Sequence, residues 1–350
     1  MRIGLYGMPT AGKSYLMDRI DFLEVVSGSR LLRQLDPDFD KRDEPGREKA
    51  RKYLARTMME KDNFIMDGHY AFGDEIAFTE EDGQIYDVFL YIYTDPDILA
   101  ARMNLSEKNR KYLKYDLCQW QKREIEGLRE YCHKQSKDIY ILDNPPRSEF
   151  CDVDCALEFL KDIVKGYSCV GFAKKCARDI LPACHGKEVV LLDGDKTLTL
   201  EDSSNKVFGY RTDIFDGNFY SGYQAWKQDR EFHKYIIPKI SNMPVRLNDK
   251  VLSSLTEPAF ILTSGHGTVW DYISEALGIG CFYGREMSAE TKYFVTRFLQ
   301  EEGIRVKAYG DSLIDYYMLK QADHGFLVAK TDGCISRSLK EKNLEGLEII

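Results

Sequence analysis

The chain has 350 residues, with 49 lysines and arginines against 57 aspartates and glutamates, a net charge of −8, and 43% hydrophobic content. That length favours two cores over one, and the composition is that of a globular protein with no apolar span of membrane length. The acidic balance ranks a small phosphorylated molecule above nucleic acid as partner; it does not disclose the oligomeric state.

In chain order, apolar runs alternate with longer helical patterns. Strands are predicted at "RIGLYG" (2–7), "LEVV" (23–26), "NFIMD" (63–67), "VFLYIYT" (88–94) and "DIYILD" (138–143). Between them lie helical stretches at 47–62 and along the charged, amphipathic run from Ser106 to Gln135. "DNPPR" (143–147) punctuates the chain, and the helical pattern "DCALEFLKDIVKG" (154–166) leads into a second series. Its strands are predicted at 188–193, 259–263, 280–284, 305–310 and 325–329. Such alternation predicts α/β architecture, two doubly wound parallel sheets with helices on their faces. The boundary is expected near 165–170, giving domains 1–167 and 168–350.

The N-terminus runs straight into a strand and has no secretory signature. Nine cysteines include no CxxC pair, and Cys151 and Cys155 have no matching partners for a zinc site. Reduced thiols and a cytoplasmic location are the expectation. Two short runs, "NRKYLK" (109–114) and "FAKKCAR" (172–178), are locally basic and read as solvated helix faces.

"GMPTAGKS" fits G-x-x-x-x-G-K-[ST] through Gly7, Gly12, Lys13 and Ser14. It follows a predicted strand and opens a predicted helix, the context that gives the pattern meaning. Glycines let backbone N–H groups wrap phosphates, Lys13 reaches the β/γ-phosphates and Ser14 holds Mg²⁺. ATP, or another NTP, is the expected cofactor. Asp67 ends a buried strand, where it could bind Mg²⁺ through water, accept the proton of an acceptor hydroxyl, or cap a helix. His69 beside it reads as a substrate contact or a structural histidine. Arg102 and Arg110 follow the fourth strand in a strand–Asp–Pro–helix–Arg pattern. That region resembles nucleoside-monophosphate-type P-loop kinases, which implies arginines on a lid over the transferring phosphoryl group; a solvated charged helix is the other reading.

"LLDGDKTLT" (191–199) is an apolar run ending in two carboxylates, Asp193 and Asp195. A calcium loop of EF-hand type fails, because Leu198 and Ser204 occupy the positions that require glycine and glutamate. A capped turn and a nucleophile with its acid/base partner remain. With "FILTSGH", "SAETKYFVTRFLQEEGI" and "AYGDSLIDYYML", the run resembles the four ordered motifs of the haloacid dehalogenase (HAD) superfamily over about 188–330. The resemblance implies Asp193 as nucleophile, Asp195 as acid/base, Thr263 or Ser264 as phosphoryl donor, and Lys292 as charge partner. It implies Mg²⁺ held by Asp193, the Asp195 carbonyl, Asp311 and Asp315. An aspartate at the acid/base position implies phosphate-ester chemistry rather than dehalogenation. The last motif looks like the phosphoserine-phosphatase branch, with a small helical cap at about 199–257 that includes Tyr210, Arg211, Phe219, Tyr220, Tyr223, Trp226 and Arg230. Lys196 departs from the common pattern; it adds charge near the site or points to solvent.

Together the motifs predict a bifunctional phosphoryl-transfer enzyme, an ATP-dependent kinase joined to a Mg²⁺-dependent HAD phosphomonoesterase. The layout is similar to polynucleotide kinase/3′-phosphatases. The runner-up, healing of nucleic-acid ends, lacks the expected aspartate after the second strand, where "VVSGSRLLR" offers no carboxylate before Asp36. A third possibility is a phosphatase regulated by a nucleotide-binding P-loop module.

Overall fold

The computed structural model describes residues 1–143, 153–185, 187–209, 219–234 and 239–350. The rest of "DNPPR" after Asp143, together with Cys151, Tyr210 and Arg211, lies outside the described residues. The chain divides into two units, Met1–Gly166 and Tyr167–Ile350. No helix among the described residues is long and apolar enough to cross a membrane.

In the first unit, the apolar runs are strands because a parallel sheet is buried on both faces and calls for near-continuous hydrophobic sequence. The strands are β1 (Arg2–Tyr6), β2 (Glu24–Ser27), β3 (Phe64–Asp67), a short antiparallel hairpin β4 (Ala71–Phe72) and β5 (Glu75–Ile76), then β6 (Val88–Tyr93) and β7 (Asp138–Asp143). The main sheet is parallel in the order β2-β3-β1-β6-β7. β1 therefore sits where the order reverses, and the crevice beyond its carboxyl end is the expected ligand position.

The run from Ser106 to Gln135 is not one helix. A 3₁₀ turn over Arg110–Lys114 precedes a helix over Leu117–Gln135. Asp116 starts that helix by accepting the Gln119 N–H at 3.0 Å, an N-cap that halts the earlier turn. The helix after the phosphate-loop pattern is also short, only Lys13–Met17, so its dipole is a minor contribution and the loop amides carry most of the polarity.

The second unit contains β8 (Glu188–Leu192), β9 (Ala259–Leu262), β10 (Gly280–Phe282), β11 (Arg305–Gly310), β12 (His324–Leu327) and β13 (Glu348–Ile349). They form a parallel sheet in the order β10-β9-β8-β11-β12-β13. Both units are thus α/β with parallel sheets. Two cores flank the second sheet, one around Val189, Leu191, Phe294 and Val306, the other around Val190, Leu192, Trp270 and Ile273. Between β8 and β9 the described residues include helices at Ser203–Phe208, Gly222–Phe232 and Asp249–Ser253.

Candidate active sites

In the second unit, β8 lies between β9 and β11, and the carboxyl ends of all three deliver side chains to one crevice. Asp193 follows β8 and is fixed by its own N–H, which donates to the Tyr309 carbonyl at 2.9 Å. Gly194 has a packing reason: a Cβ there would run into the Trp270 ring and lie 2.7 Å from Thr263 Oγ1. Lys196 adopts a left-handed φ of 62°, a conformation that a non-glycine residue holds only when its surroundings enforce it. Its ammonium pairs with Asp202 at 3.1 Å, and its charge also acts on Asp311.

Lys292 comes from the helix Ala289–Glu301, whose N-cap Ser288 accepts the Thr291 N–H at 3.2 Å. Its side chain is wholly buried, 2.6 Å from Asp193 Oδ1 and 2.7 Å from Asp315 Oδ1. The other oxygen of Asp315 accepts from Asp311 N (3.1 Å), Ser312 N (3.2 Å) and Ser312 Oγ (3.3 Å). Both oxygens of Asp315 are therefore committed to positioning the lysine and the loop. Asp193, Asp311 and Asp315 each place a carboxylate oxygen within 4.8 Å of the others.

Three buried carboxylates face one ammonium. Burial, then repulsion from Asp315, pushes Asp193 up to about 6, against the pull of Lys292. Burial, Asp193 and Asp315 hold Asp311 well above the usual carboxylate range. Burial opposes the charge on Lys292, yet Asp193 and Asp315 together raise it above an ordinary lysine. This all-oxygen, charge-deficient set fits a hard divalent cation such as Mg²⁺, with Asp193 and Asp311 as the carboxylates left room to bind it.

Asp195 sits beside this cluster and accepts the Ser203 N–H at 2.7 Å. Burial, then Asp202, pushes it up to about 7, with the Ser203 contact working the other way. Of the two second-motif candidates, Thr263 is buried against the Asp193–Asp195 loop and accepts the Gly265 N–H at 3.0 Å. Ser264 turns its hydroxyl to the Met287 carbonyl at 2.8 Å. The helix Gly222–Phe232 reaches the same loop, with Gln228 Nε2 donating to Ser264 O at 2.8 Å. Beside it lies a cavity of about 250 Å³, with Asp229, His233, Gly265 and His266 in its wall.

In the first unit, the loop after β1 bends through left-handed Thr10 (φ 66°) and Gly12 (φ 107°). Lys13 is buried, donating to the carbonyls of Gly7 and, at 3.2 Å, Met8. Burial pushes its ammonium down to about 8, against the attraction of Glu124 and Asp67. Ser14 is exposed in the first helical turn. Arg102 donates to Thr10 O at 3.2 Å and so touches the loop, whereas Arg110 folds back on the Asn104 carbonyl at 2.9 Å.

Glu124 had no signal in the sequence beyond its place in an amphipathic helix. Wholly buried, it accepts from Tyr91 OH (2.7 Å), Trp120 Nε1 (3.0 Å) and Ala71 N (3.0 Å). Asp67 accepts the Gly28 N–H at 2.8 Å and lies, with His69, in the wall of a cavity of about 630 Å³. Lys108, Lys111 and Lys114 line the same cavity. Lys111 and Lys114 come from the basic run read as a solvated face, with Lys108 just before it, and the fold places all three in one cavity wall with Asp67.

No family model matches the chain, and no curated protein does. Among solved structures, a shikimate kinase from Bacteroides thetaiotaomicron is similar at 16% identity over 47% of this chain and 98% of that one, with a TM-score of 0.31. A phosphoserine phosphatase bearing a phospho-aspartyl intermediate analogue is similar at 17% identity over 46% and 91%, TM-score 0.31. A HAD family hydrolase from Salmonella enterica serovar Typhi matches at 15% identity over 47% and 67%, TM-score 0.31. Likeness of this degree concerns the fold, and the chemistry rests on the side chains.

Proposed function

We propose that the chain is a bifunctional phosphoryl-transfer enzyme: the second unit a phosphomonoesterase of HAD type, the first an ATP-dependent kinase. The observation that carries the phosphatase reading is the buried Lys292 between Asp193 and Asp315, with Asp311 beside them. A free Asp193 oxygen attacks phosphorus, the bond from phosphorus to the leaving oxygen breaks, and Asp195 gives that oxygen a proton. A carboxyl held at about 7 is suited to both halves of this cycle, since it then takes a proton from water as the water displaces the Asp193 oxygen and frees phosphate. Thr263, rather than Ser264, is the hydroxyl on the loop side and donates to a phosphoryl oxygen. Lys292 offsets the charge of nucleophile and phosphoryl group. Asp193, Asp311 and the Asp195 carbonyl would hold Mg²⁺, which would neutralise charge between nucleophile and phosphoryl group.

In the first unit, the Gly7–Ser14 loop binds the nucleotide phosphates, Lys13 and Arg102 serve the transferring group, and Asp67 takes the proton of the acceptor hydroxyl. The substrates on this reading are small phosphorylated or phosphorylatable molecules. The experiment is phosphate release from a phosphomonoester panel with wild type and Asp193→Asn, beside acceptor-dependent ATP consumption with Lys13→Ala. Phosphate release that survives in Asp193→Asn removes the phosphatase assignment. ATP turnover that survives in Lys13→Ala removes the kinase.

A further inference from the structure

The 630 Å³ cavity beside Asp67 is lined by cations of two kinds. Two arginines are neutralised within the protein: Arg33 pairs with Asp40 at 2.8 Å and Arg51 with Glu44 at 2.8 Å. The cavity is also lined by Lys108, Lys111 and Lys114. Among the described residues none of the three forms an ion pair; Lys111 and Lys114 lie over their neighbouring rings, Tyr112 at 5.0 Å and Tyr115 at 4.9 Å. The cavity wall also holds Asp67, Glu75 and Asp82, and Lys108 acts on Asp40 through space, but the three lysines themselves form no ion pair among the described residues, in a protein whose net charge is −8. Arg47, also in the wall, pairs with Glu44 at 3.8 Å and donates to the Asp40 carbonyl at 3.3 Å, while its buried Nε has no partner.

An aromatic row connects the lysine segment to the candidate base. Tyr112 stacks on Phe72 at 6.4 Å, and Phe72 lies 4.8 Å from His69, two residues beyond Asp67. The lysine segment is held in place by the β4–β5 hairpin. Gly73 at its turn (φ 67°) packs so closely on Tyr115 that a Cβ would overlap the ring, and Arg123 donates to its carbonyl. Burial, then Lys13 and Lys108, keeps His69 neutral, well below an ordinary histidine, and its buried Nδ1 has no partner. A neutral imidazole nitrogen accepts a hydrogen bond from a hydroxyl.

We infer that the acceptor of this unit is a hydroxylated organic anion, its carboxylate or phosphate held by Lys108, Lys111 and Lys114 and its hydroxyl directed to Asp67 and His69. The inference rests on the kinase reading of the first unit. The three lysine side chains are exposed and unpaired, so replacing them leaves the core intact and removes charge from the cavity alone.

The test is calorimetric titration of the full chain carrying Asp193→Asn, saturated with Mg²⁺ and a non-hydrolysable ATP analogue, with 3-phosphoglycerate, glycerate and glycerol as probes. One or both anions are expected to bind at least tenfold more tightly than glycerol, and the triple variant Lys108→Ala/Lys111→Ala/Lys114→Ala is expected to lose that advantage. Lys134→Ala, which removes an exposed lysine paired with Glu80 at 3.3 Å away from this cavity, leaves affinity within twofold. Preference for 3-phosphoglycerate identifies a phosphate as the anion read, and preference for glycerate a carboxylate. Equal binding of glycerol, no binding of either anion at millimolar concentration, or anion affinity unchanged in the triple variant overturns the inference. Binding of the ATP analogue to wild type and its loss in Lys13→Ala report on the kinase reading separately, so the two can fail independently.

Discussion

Lys292→Met removes the ammonium and keeps the length of the side chain. Lys292 has no exposed surface and makes both of its short ion pairs inside the protein. Removing one partner from a buried ion pair costs about 3–5 kcal/mol, because the partner is left charged and uncompensated. For a unit of this size that corresponds to a fall in melting temperature of roughly 6–20 °C. Asp193, now at about 6 with the lysine beside it, moves higher without it. Its ionised fraction near neutral pH therefore falls.

Activity falls further than ionisation alone dictates, because the lysine also offsets charge that develops at the phosphoryl group; a preorganised donor of this kind is worth about 10²–10³ in kcat. The assay is phosphate release from a generic aryl phosphate between pH 5 and 9, paired with melting curves in Mg²⁺. The acidic limb of the rate profile should move to higher pH, since the cation that lowered the Asp193 pKa has gone. A variant that melts with wild type and keeps its limb in place would refute the assignment of Lys292 as the charge partner of Asp193.

Gly194→Ala should destabilise the second unit by about 1–3 kcal/mol and depress phosphate release, since the added methyl meets Trp270 and Thr263; melting and rate measurements on the variant check both. With EDTA present, the melting temperature of the second unit should fall as pH rises from 4 to 7. Asp193 and Asp195 have folded pKa values above their unfolded ones, about 6 and about 7, so their contribution is complete below the unfolded value and lost as pH climbs through the folded one. Mg²⁺ should flatten that slope, and a slope indifferent to Mg²⁺ would count against the cation site. Glu124→Gln keeps the shape but removes the charge that holds Lys13 up to about 8; the alkaline limb of ATP turnover should shift to lower pH, while a variant with an unmoved limb leaves Glu124 only a packing role.

Both main sheets were legible because buried parallel strands leave long apolar runs such as "VFLYIYT" and "EVVLLD". β4, β5 and β13 were not, since two-residue strands carry no period to detect. The break in the Ser106–Gln135 run turns on one aspartate cap, which amphipathic periodicity passes over. That Asp193, Lys292 and Asp311 lie together could be expected, because each sits at or near a strand end or helix start with a recognisable neighbour pattern. The proposed preference for Thr263 over Ser264 rests on the Ser264 hydroxyl donating to the Met287 carbonyl, a contact with no trace in the sequence. Lys108 and Asp67 lie far apart in sequence with ordinary surroundings, and only the hairpin packing on Tyr115 brings their segments to one cavity.

The two units solve one electrostatic problem in opposite ways. In the second, anions are the resident groups: Asp193, Asp311 and Asp315 crowd around a single lysine, and burial raises Asp193 and Asp311. In the first, burial lowers Lys13 at the Gly7–Ser14 loop, and the cavity beside Asp67 holds both signs of charge, with Lys108, Lys111 and Lys114 forming no ion pair among the described residues. A site poor in positive charge calls for a cation to accompany its anionic substrate; a site with unpaired positive charge admits the anion directly. On the proposed reading, a phosphate ester approaching Asp193 would depend on a divalent ion, whereas an anionic acceptor approaching Lys108, Lys111 and Lys114 would not. Salt should separate the two: added monovalent salt weakens the exposed lysine contacts by screening, while the buried carboxylate cluster, shielded from solvent, responds to divalent ion and little to ionic strength.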